Sequence, residues 1–486
     1  MSDAHASRRE FARRLLLGAG TLAIAPASLL GCRAMTSTRG GAARALDPAV
    51  DDVVGWDRVP SILARIVPPR FPDRAFDVTT FGAVGDGRTD CTDAFRRVIA
   101  ACSAAGGGRV LVPAGRFLTG PIHLRSRVEL HVAREATIAF HQDPARYLPA
   151  VLTRWEGMEM MGYSPLIYAL DQTDVAITGA GTLDGQADET HWWPWKGQRG
   201  VRDGTQAPAR DRLMQLVEQR TPVAERVFAE GSYLRPQFIQ PYRCRNVLIE
   251  GVTIVNSPMW EIHPVLCTNV TVRNVTIRTH GPNNDGCDPE SCRDVLIEGC
   301  EFDTGDDCIA IKSGRNADGR RIGVPTENVV VRDCRMKDGH GGVTIGSEIS
   351  GGVRHVYVER CTMDSPELDR ALRFKNNALR GGVLEHVYMR DVVVGQVADA
   401  VLSVDLYYEE GRNGPFEPVV RDVELLRVTS RKSPYALYMR AYERSTIADV
   451  RVLDCRFDGV AKGSVTEGVR GLVLRGTTVN GQEVRA

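Results

Sequence analysis

A short phrase with strand-like alternation recurs along most of the chain. In each copy an apolar residue is followed by another two positions later, and positions five and seven are again mostly apolar. A period of two is typical of strands that bury one face, and the interruption between the halves predicts a tight corner joining two short strands. The first apolar residue of the copies is Val175, Val247, Val270, Val295, Val329, Val356, Val387, Val423 and Val450.

The spacing of these copies indicates a solenoid. From Val247 onward, the closest neighbours (Val247 and Val270) are 23 residues apart and the most distant (Val387 and Val423) are 36 apart. Stacked coils of short strands make a parallel β-helix. A repeat of α-helices is excluded because apolar residues do not recur every three and four positions. A leucine-rich repeat is excluded because its ladder of Leu and Asn residues is missing. We therefore expect an all-β chain folded as a right-handed parallel β-helix.

Cysteine alternates with valine at one inward position of the phrase, five residues after its first valine. This is the behaviour of a small buried apolar residue, so core filling is favoured over a disulfide or metal role for these four cysteines. They are Cys300, Cys334, Cys361 and Cys455. The roles of Cys287, Cys292 and Cys308 stay open, as does any disulfide pairing.

The N-terminal end of the coil needs a cover, since an open end would expose apolar surface and unpaired backbone. Residues 89–102 have a helical pattern with an N-cap at Thr89 or Asp90, followed by glycines at 106–108. We expect an N-terminal capping helix here, with an inner face formed by Phe95, Ile99 and Cys102.

Residues 185–234 do not fit the coil period, and we interpret them as a large insertion on one face. They contain three tryptophans that are equally suited to core packing and to a sugar-binding platform: Trp192, Trp193 and Trp195.

The N-terminus is typical of an exported protein. Two arginines precede a short apolar stretch that ends in Leu-Leu-Gly-Cys at Cys32, which resembles a twin-arginine signal followed by a lipobox. We expect residues 1–32 to direct export and Cys32 to be lipidated, giving a periplasmic or membrane-anchored lipoprotein. An ordinary signal with Cys32 unmodified is the alternative. Residues 33–72 predict a tether, and residues 73–486 the catalytic domain.

The overall charge gives no reason to expect a nucleic acid or an anionic membrane surface as partner. Lys plus Arg and Asp plus Glu are equal at 61 each, so the formal net charge is zero. Any preference for a charged ligand must therefore come from the local placement of charged side chains.

A second strand of each coil predicts where such side chains meet. Aligning its apolar pairs places His340 beside Asp306 on the next coil. The same alignment, extended backward, places Asp285 beside Asp307. Because neighbouring strands lie about 4.8 Å apart, three carboxylates, a histidine and two cations should gather on one outer face: Asp285, Asp306, Asp307, His340, Arg373 and Lys375.

These residue types suit glycoside hydrolysis, which needs a protonated carboxyl group at the leaving oxygen and a carboxylate that activates water. Crowded carboxylates cannot all ionise easily, so one of them should keep its proton. An inverting enzyme separates acid and base by about 6.5–9.5 Å. Arg373 and Lys375 supply positive charge for a substrate carboxylate, which favours a uronic acid.

Four ordered motifs resemble those of glycoside hydrolase family 28, the polygalacturonases, whose fold is the pectin-lyase-like solenoid. They are Asn283-Asn284-Asp285, Gly305-Asp306-Asp307, Gly339-His340-Gly341 and Arg373-Phe374-Lys375. A single Gly-Asp-Asp is usually just a turn, but the four motifs in this order are specific.

The resemblance implies a role for each matched residue in the inverting hydrolysis of α-1,4-galacturonosidic bonds of pectin. Asp306 would be the general acid, Asp285 and Asp307 would position the water, and His340 would assist. Arg373 and Lys375 would bind substrate, as would Tyr408, for which Tyr407 competes. Neither a cofactor nor a metal is implied.

Segments around Trp155, Tyr163 and Asp405 look like the bacterial exo-polygalacturonase branch, and the insertion after Gly185 could wall off one end of the groove. Exo action is therefore expected. Rhamnogalacturonan and xylogalacturonan hydrolases of the same family are the main alternatives. A calcium-dependent pectate lyase and a non-catalytic, tailspike-like adhesin on the same scaffold are more distant ones.

Overall fold

The fold consists mainly of three long sheets. Each coil of the chain contributes one short strand or bridge to each sheet. The structure, a computed structural model, describes residues 55–486 except 199, 201 and 203. The strands of these sheets are parallel, apart from the last strand of the second sheet, and the chain winds as a right-handed parallel β-helix, as the repeat predicted. The expected export signal and Cys32 lie outside the described residues.

The first sheet contains the first strand of every repeat phrase. Its strands, in spatial order, are Ala75–Asp77, Gly108–Val112, Val128–Val132, Thr173–Gly179, Arg245–Glu250, Thr268–Arg273, Arg293–Glu298, Thr326–Arg332, Val353–Glu359, Val383–Arg390, Val419–Leu426, Thr446–Leu453 and Val469–Arg470, with Val473–Arg475 also paired to the twelfth.

The second sheet contains the strand after the corner. Its strands are Asp86–Asp90, Gly115–Thr119, Ala136–Phe140, Thr182–Asp184, Thr253–Val255, Thr276–Thr279, Glu301–Thr304, Arg335–Met336, Thr362–Met363, Val393–Val394, Thr429–Ser430, Arg456–Phe457, Thr477–Val479 and the antiparallel Gln482–Val484.

The third sheet carries the predicted site. It begins with Ile122–His123, Ile167–Leu170 and Ile239–Tyr242, and single bridges through Ile262 and Cys287 continue it. It ends with Ile309–Ile311, Val343–Ile345, Arg370–Lys375, Ala400–Asp405, Ser433–Arg440 and Val460–Glu467.

The remaining elements lie outside these sheets. A small sheet consists of Val151–Trp155, Met158–Gly162 and Val227–Phe228. The α-helices are Val59–Arg65, Thr92–Ala104, Ala207–Glu218 and Asn316–Ile322. Short 3-10 turns are Trp56–Arg58, Val78–Phe81, Pro144–Tyr147, Trp193–Lys196 and Val223–Glu225. No helix in the described part of the chain is long and apolar enough to cross a bilayer.

The register of the first sheet follows the repeat phrase. Val247 pairs with Val270, which pairs with Val295, and the ladder continues in step through the remaining copies to Val450. The corner residue four positions after each of these valines is left-handed, as in Gly251 (φ 79°) and Asp333 (φ 56°). Gly, Asn and Asp adopt this conformation most readily, which explains their frequency at the corners.

The inward side chains of the coils form one continuous apolar core. The eleven cysteines among the described residues are all buried and unpaired. The core-filling interpretation of Cys300, Cys334, Cys361 and Cys455 is therefore confirmed, and Cys287, Cys292 and Cys308 join them in the core.

The capping helix is present, but its predicted start is wrong. It begins at Thr92 with Cys91 as N-cap, rather than with Thr89 or Asp90. Residues 86–90 pair instead with the second sheet, and the Asp90 carboxylate accepts a hydrogen bond from the Thr92 backbone N–H at 3.0 Å. Phe95, Ile99 and Cys102 are buried as expected.

The predicted tether over residues 33–72 is wrong for its described part. The helix Val59–Arg65 packs on the outer face of the first sheet, where Val59, Ile62 and Ile66 are buried. Their partners are outward-facing apolar side chains on four successive coils: Leu296, Val330, Tyr357 and Tyr388. Burial of this apolar face stabilises the helix against the sheet.

Candidate active site

All of the predicted catalytic and substrate-binding residues except the fully buried Asp307 line a groove on the outer face of the third sheet, with a cavity volume of about 460 Å³. Backbone stacking brings them together. The Gly286 N–H donates to the Asp307 carbonyl at 3.0 Å, and the His340 N–H donates to the Asp306 carbonyl at 3.1 Å. The two predicted columns, Asp285 with Asp307 and Asp306 with His340, are thus confirmed.

Asp307 is fully buried between two cations that line the groove. Lys375 Nζ is 2.6 Å from one carboxylate oxygen, and Arg373 Nη1 is 3.3 Å from the other. The Thr344 hydroxyl donates to the same carboxylate at 2.8 Å. Although burial disfavours the charge, Lys375 and Arg373 hold the pKa of Asp307 well below its ordinary value. The two cations therefore favour the ionised form of Asp307.

Asp306 is the carboxylate that faces the groove. Its side chain is 18% exposed, whereas that of Asp285 is 4% exposed and that of Asp307 is fully buried. His340 Nδ1 lies 2.9 Å from Asp306 Oδ1. Although burial opposes it, this hydrogen bond lowers the pKa of Asp306 below its ordinary value, and the same contact raises the pKa of His340.

Asp285 is the carboxyl group of the three that keeps its proton most readily. Burial, and then the neighbouring charge of Asp306, raises the pKa of Asp285 to about 8. One of the crowded carboxyls is thus protonated, as expected, but it is Asp285 and not Asp306, the acid that the resemblance implies. Since closely coupled groups titrate as a unit, the trio shares this proton.

The spacing of the carboxylates is tight. Asp285, Asp306 and Asp307 each place an oxygen within 4.8 Å of the others, closer than the roughly 6.5–9.5 Å carboxyl separation of inverting enzymes. The inverting course therefore stays an implication of the resemblance. Among the described residues, such clusters of possible metal ligands are this one, already faced by protein cations, and His280, Asp303 and Asp338 on the second sheet.

The residue after His340 must be glycine because there is no room for a β-carbon at this position. A β-carbon at Gly341 would approach the Thr344 hydroxyl oxygen to 2.3 Å and Asp307 Oδ1 to 3.1 Å. Only glycine lets the strand pass this close to the Asp307 carboxylate, which accounts for the Gly-His-Gly pattern.

Tyr408, rather than Tyr407, belongs to the groove. The cationic groups of Arg373 and Lys375 lie 5.8 and 5.6 Å from the centre of the Tyr408 ring. Tyr407 packs instead against Tyr442, with ring centres 5.2 Å apart. The geometry thus favours Tyr408 for the substrate-contacting position.

Comparison with known proteins agrees with this arrangement. The family model described as glycosyl hydrolases family 28 matches residues 229–470, and one described as rhamnogalacturonase A/epimerase, pectate lyase-like, matches residues 75–131. The crystal structure of a hyperthermoactive exopolygalacturonase from Thermotoga maritima is 49% identical, with a TM-score of 0.84 over 87% of this chain and 96% of that one. The chain belongs to glycosyl hydrolase family 28.

Two further family relatives are more distant. A probable polygalacturonase of Vitis vinifera is 33% identical over 65% of this chain, which spans 59% of that protein's length. A family 28 exopolygalacturonase of Yersinia enterocolitica shares the fold at 20% identity, with a TM-score of 0.70 over 85% of this chain and 76% of that one. Membership of family 28 makes the protein a glycoside hydrolase, and the lyase and adhesin alternatives are set aside.

The opposite wall of the family 28 groove was missed by the sequence analysis. Glu156 there pairs with Arg210 at 2.6 Å and with Arg315 at 2.7 Å. Glu348 lies 3.3 Å from Lys312 Nζ and 3.5 Å from Arg315. These residues come from loops between coils and from the insertion, where the repeat has no register to follow.

Lys312 could have been found from the repeat. It occupies the column of Lys375 two coils away, because Ile311 pairs with Ile345 and Ile345 with Phe374. The alignment that identified Lys375 therefore also indicated an outward lysine at position 312.

The insertion supplies groove residues of its own, namely Lys196, Gln206, Ala207 and Arg210. Its tryptophans, Trp195 included, pack in or against the core and do not line the groove, which argues against a sugar platform. Trp192 is buried in the core, and the Trp193 ring N–H donates to the Ser257 carbonyl at 2.9 Å.

His263, which lies outside the insertion, has a structural role. Its side chain is fully buried, with Nε2 2.7 Å from Glu290.

Proposed function

We propose that the protein is an exo-acting polygalacturonase that hydrolyses α-1,4-galacturonosidic bonds of polygalacturonate. The observation that carries this proposal is the cluster of Asp285, Asp306 and Asp307. Asp285 and Asp306 line the groove together with Arg373 and Lys375. Two cations beside the reacting groups match a substrate whose every sugar bears a carboxylate. The high identity to an exopolygalacturonase supports the same assignment.

The arrangement supports a division of labour among the carboxylates. Asp306 faces the groove and is placed to protonate the leaving oxygen, while the deeper Asp285 and Asp307 orient and deprotonate the attacking water. Substrate that excludes water from Asp306 would raise its pKa, and the proton shared by the trio would then move to Asp306 from Asp285. His340 tunes Asp306 through their hydrogen bond.

Exo action follows from the insertion. Lys196 and Arg210 of the insertion line the groove, and we infer that the insertion closes one end of it to a long polymer. A chain end can enter such a closed groove, whereas an internal segment needs a groove open at both ends.

Product analysis tests both substrate and mode. With polygalacturonate and tri-galacturonate, chromatography should show short end products from the first minutes and a slow fall in viscosity. Mixed long oligomers with a rapid viscosity loss would contradict exo action. Faster cleavage of rhamnogalacturonan or xylogalacturonan than of polygalacturonate would contradict the substrate.

Asp306→Asn tests the acid. We expect kcat to fall by a factor of roughly 10² to 10⁴, the usual contribution of general acid catalysis, with KM little changed. Asp364→Asn is the matched control, because Asp364 pairs with Arg431 at the surface away from the groove. Retained activity in the Asp306 variant would exclude the proposed role.

We also propose export and lipidation at Cys32, supported by the sequence of residues 1–32. Mass spectrometry of the mature N-terminus in the native host should show a lipid-modified cysteine. A mature chain that begins elsewhere, or an unmodified Cys32, would exclude the anchor.

A further inference from the structure

A buried lysine, Lys312, lies behind the catalytic carboxylates and is shared among three acids. Its Nζ is 3.3 Å from Glu348, 3.4 Å from Asp285 and 3.7 Å from Asp288. These near-equal distances show that it is not committed to one partner. Trp260 covers it from one side, with Nζ 4.2 Å from the ring centre.

Lys312 is poorly placed to bind sugar but well placed to act on Asp285. Its side chain is only 2% exposed, and its charge is permanent. Although burial disfavours the charge, Asp288 and then Glu348 hold the pKa of Lys312 well above its ordinary value. Its contact with Asp285 has no counterpart at Asp306, which is bonded to His340 instead.

The surroundings of Asp285 otherwise favour its neutral form. Burial and then the charge of Asp306 raise the pKa of Asp285, while Lys375 is held by Asp307 at 2.6 Å. The titratable and charged groups around Asp285, Lys312 and Glu348 include Arg235, Glu261, His263, Asp288, Asp306, Asp307, Arg315 and Lys375. Lys312 is therefore the cation in direct contact with Asp285, and Glu348 competes for it.

We propose that Lys312 is a positioning residue that favours the ionised form of Asp285, so that when substrate binds the proton passes from Asp285 to Asp306 and Asp285 acts as the base. This role rests on the proposed hydrolase function and deepens it. Glu348 moderates the effect by drawing Lys312 away from Asp285. The pair would thus set the lowest pH at which the enzyme works.

The test is the pH dependence of kcat/KM on tri-galacturonate, whose acid limb reports the base of the free enzyme. In Lys312→Met this limb should shift to higher pH by roughly one to three units, which is the usual effect of losing an adjacent opposite charge. At a pH on the acid limb, activity should fall at least about tenfold and recover at higher pH. Lys312→Arg should keep the wild-type limb.

In Glu348→Gln we expect the acid limb of the pH profile to shift in the opposite direction. Without the competing carboxylate, Lys312 is left to Asp285, so the acid limb should move to lower pH. This variant decides the matter if Lys312→Met does not fold, as judged by circular dichroism and thermal melting. A limb that stays or rises in Glu348→Gln would then overturn the proposal.

Three other outcomes would also overturn it. A rise in KM with an unchanged pH profile in Lys312→Met would make Lys312 a substrate ligand. A loss equal at every pH, unrescued by arginine, would make its role structural. A wild-type protein that leaves every galacturonan intact would instead defeat the proposed function, and this role with it.

Discussion

At the scale of single residues, the charge on Asp307 depends on two neighbours. It is fully buried, and an unpaired carboxylate there would be costly. Lys375 and Arg373, which lie two coils further along, balance the negative charge of Asp307. The residues that would bind substrate therefore also stabilise the fold. Substitutions at this point should therefore affect stability as well as activity.

Lys375→Met should lower the free energy of unfolding by about 3 kcal/mol, because removing one partner of a buried ion pair is strongly destabilising and Arg373, at 3.3 Å, is then the remaining cation beside Asp307. Lys337→Met is the matched control. Lys337 pairs with Glu301 at 3.1 Å, but both side chains are partly exposed, so its loss should cost less than about 1 kcal/mol. Denaturant unfolding measures both variants.

The double variant Lys375→Met with Asp307→Asn should recover part of the loss, since neither charge then remains. Equal unfolding midpoints for the Lys375 and Lys337 single variants would show that Asp307 is compensated by other groups.

At the scale of elements, the insertion gives the groove its second wall. Lys196 ends the turn Trp193–Lys196, lines the cavity, and makes no ion pair within 4 Å to another residue of the described chain. A cation so placed suits the carboxylate of a bound uronate. Lys196→Met should raise KM for tri-galacturonate about tenfold, the value of a charged hydrogen bond, with kcat within about twofold.

Lys432→Met is the control for Lys196, since Lys432 is exposed and lies outside the groove. Steady-state kinetics of the two variants decide the matter. If both had the same KM as the wild type, the insertion would close the groove without contacting the substrate.

The helix Val59–Arg65 is a second element with a testable role. Ile62 is fully buried against the first sheet, whereas Ala64 on the same helix is exposed. Ile62→Asp would bury an unpaired charge, so the helix should detach and the segment around it should become sensitive to protease. Ala64→Asp should not.

Both helix variants should keep activity within about twofold, because the helix packs on the first sheet and the groove lies on the third. Limited proteolysis with mass spectrometry, together with rates on polygalacturonate, provides the check. Loss of activity in Ile62→Asp alone would show that the helix supports the whole coil stack.

At the scale of the whole molecule, the repeat explains what could be predicted. A phrase with a period of two defines which side chains face inward and which coils are neighbours, so the columns of Asp285 with Asp307 and Asp306 with His340 follow from alignment. The packing of the helix Val59–Arg65 on the first sheet could also have been inferred from the sequence. Its partners occupy the position directly after the first valine in four copies, an outward apolar stripe that needs a cover: Leu296, Val330, Tyr357 and Tyr388.

Other features could not be predicted because they depend on three-dimensional surroundings. Deep burial raises the pKa of Asp285, whereas at Asp306 the hydrogen bond with His340 outweighs burial and lowers the pKa, and neither effect is visible in the motifs. The wall formed by Glu156, Arg210 and Arg315 comes from segments outside the repeat, whose positions no periodic pattern defines.

The inward cysteines allow the whole solenoid to be tested at once. All eleven described cysteines are buried and unpaired. A thiol reagent should therefore modify none of them in the native protein and all of them after denaturation, Cys32 aside. Valine occupies the same inward column at Val252 and Val275, so Cys334→Val should change the free energy of unfolding by less than about 1.5 kcal/mol. Cys334→Ser should cost more, since it buries a hydroxyl. Fast labelling of several thiols in the native state would mean that the coils open locally.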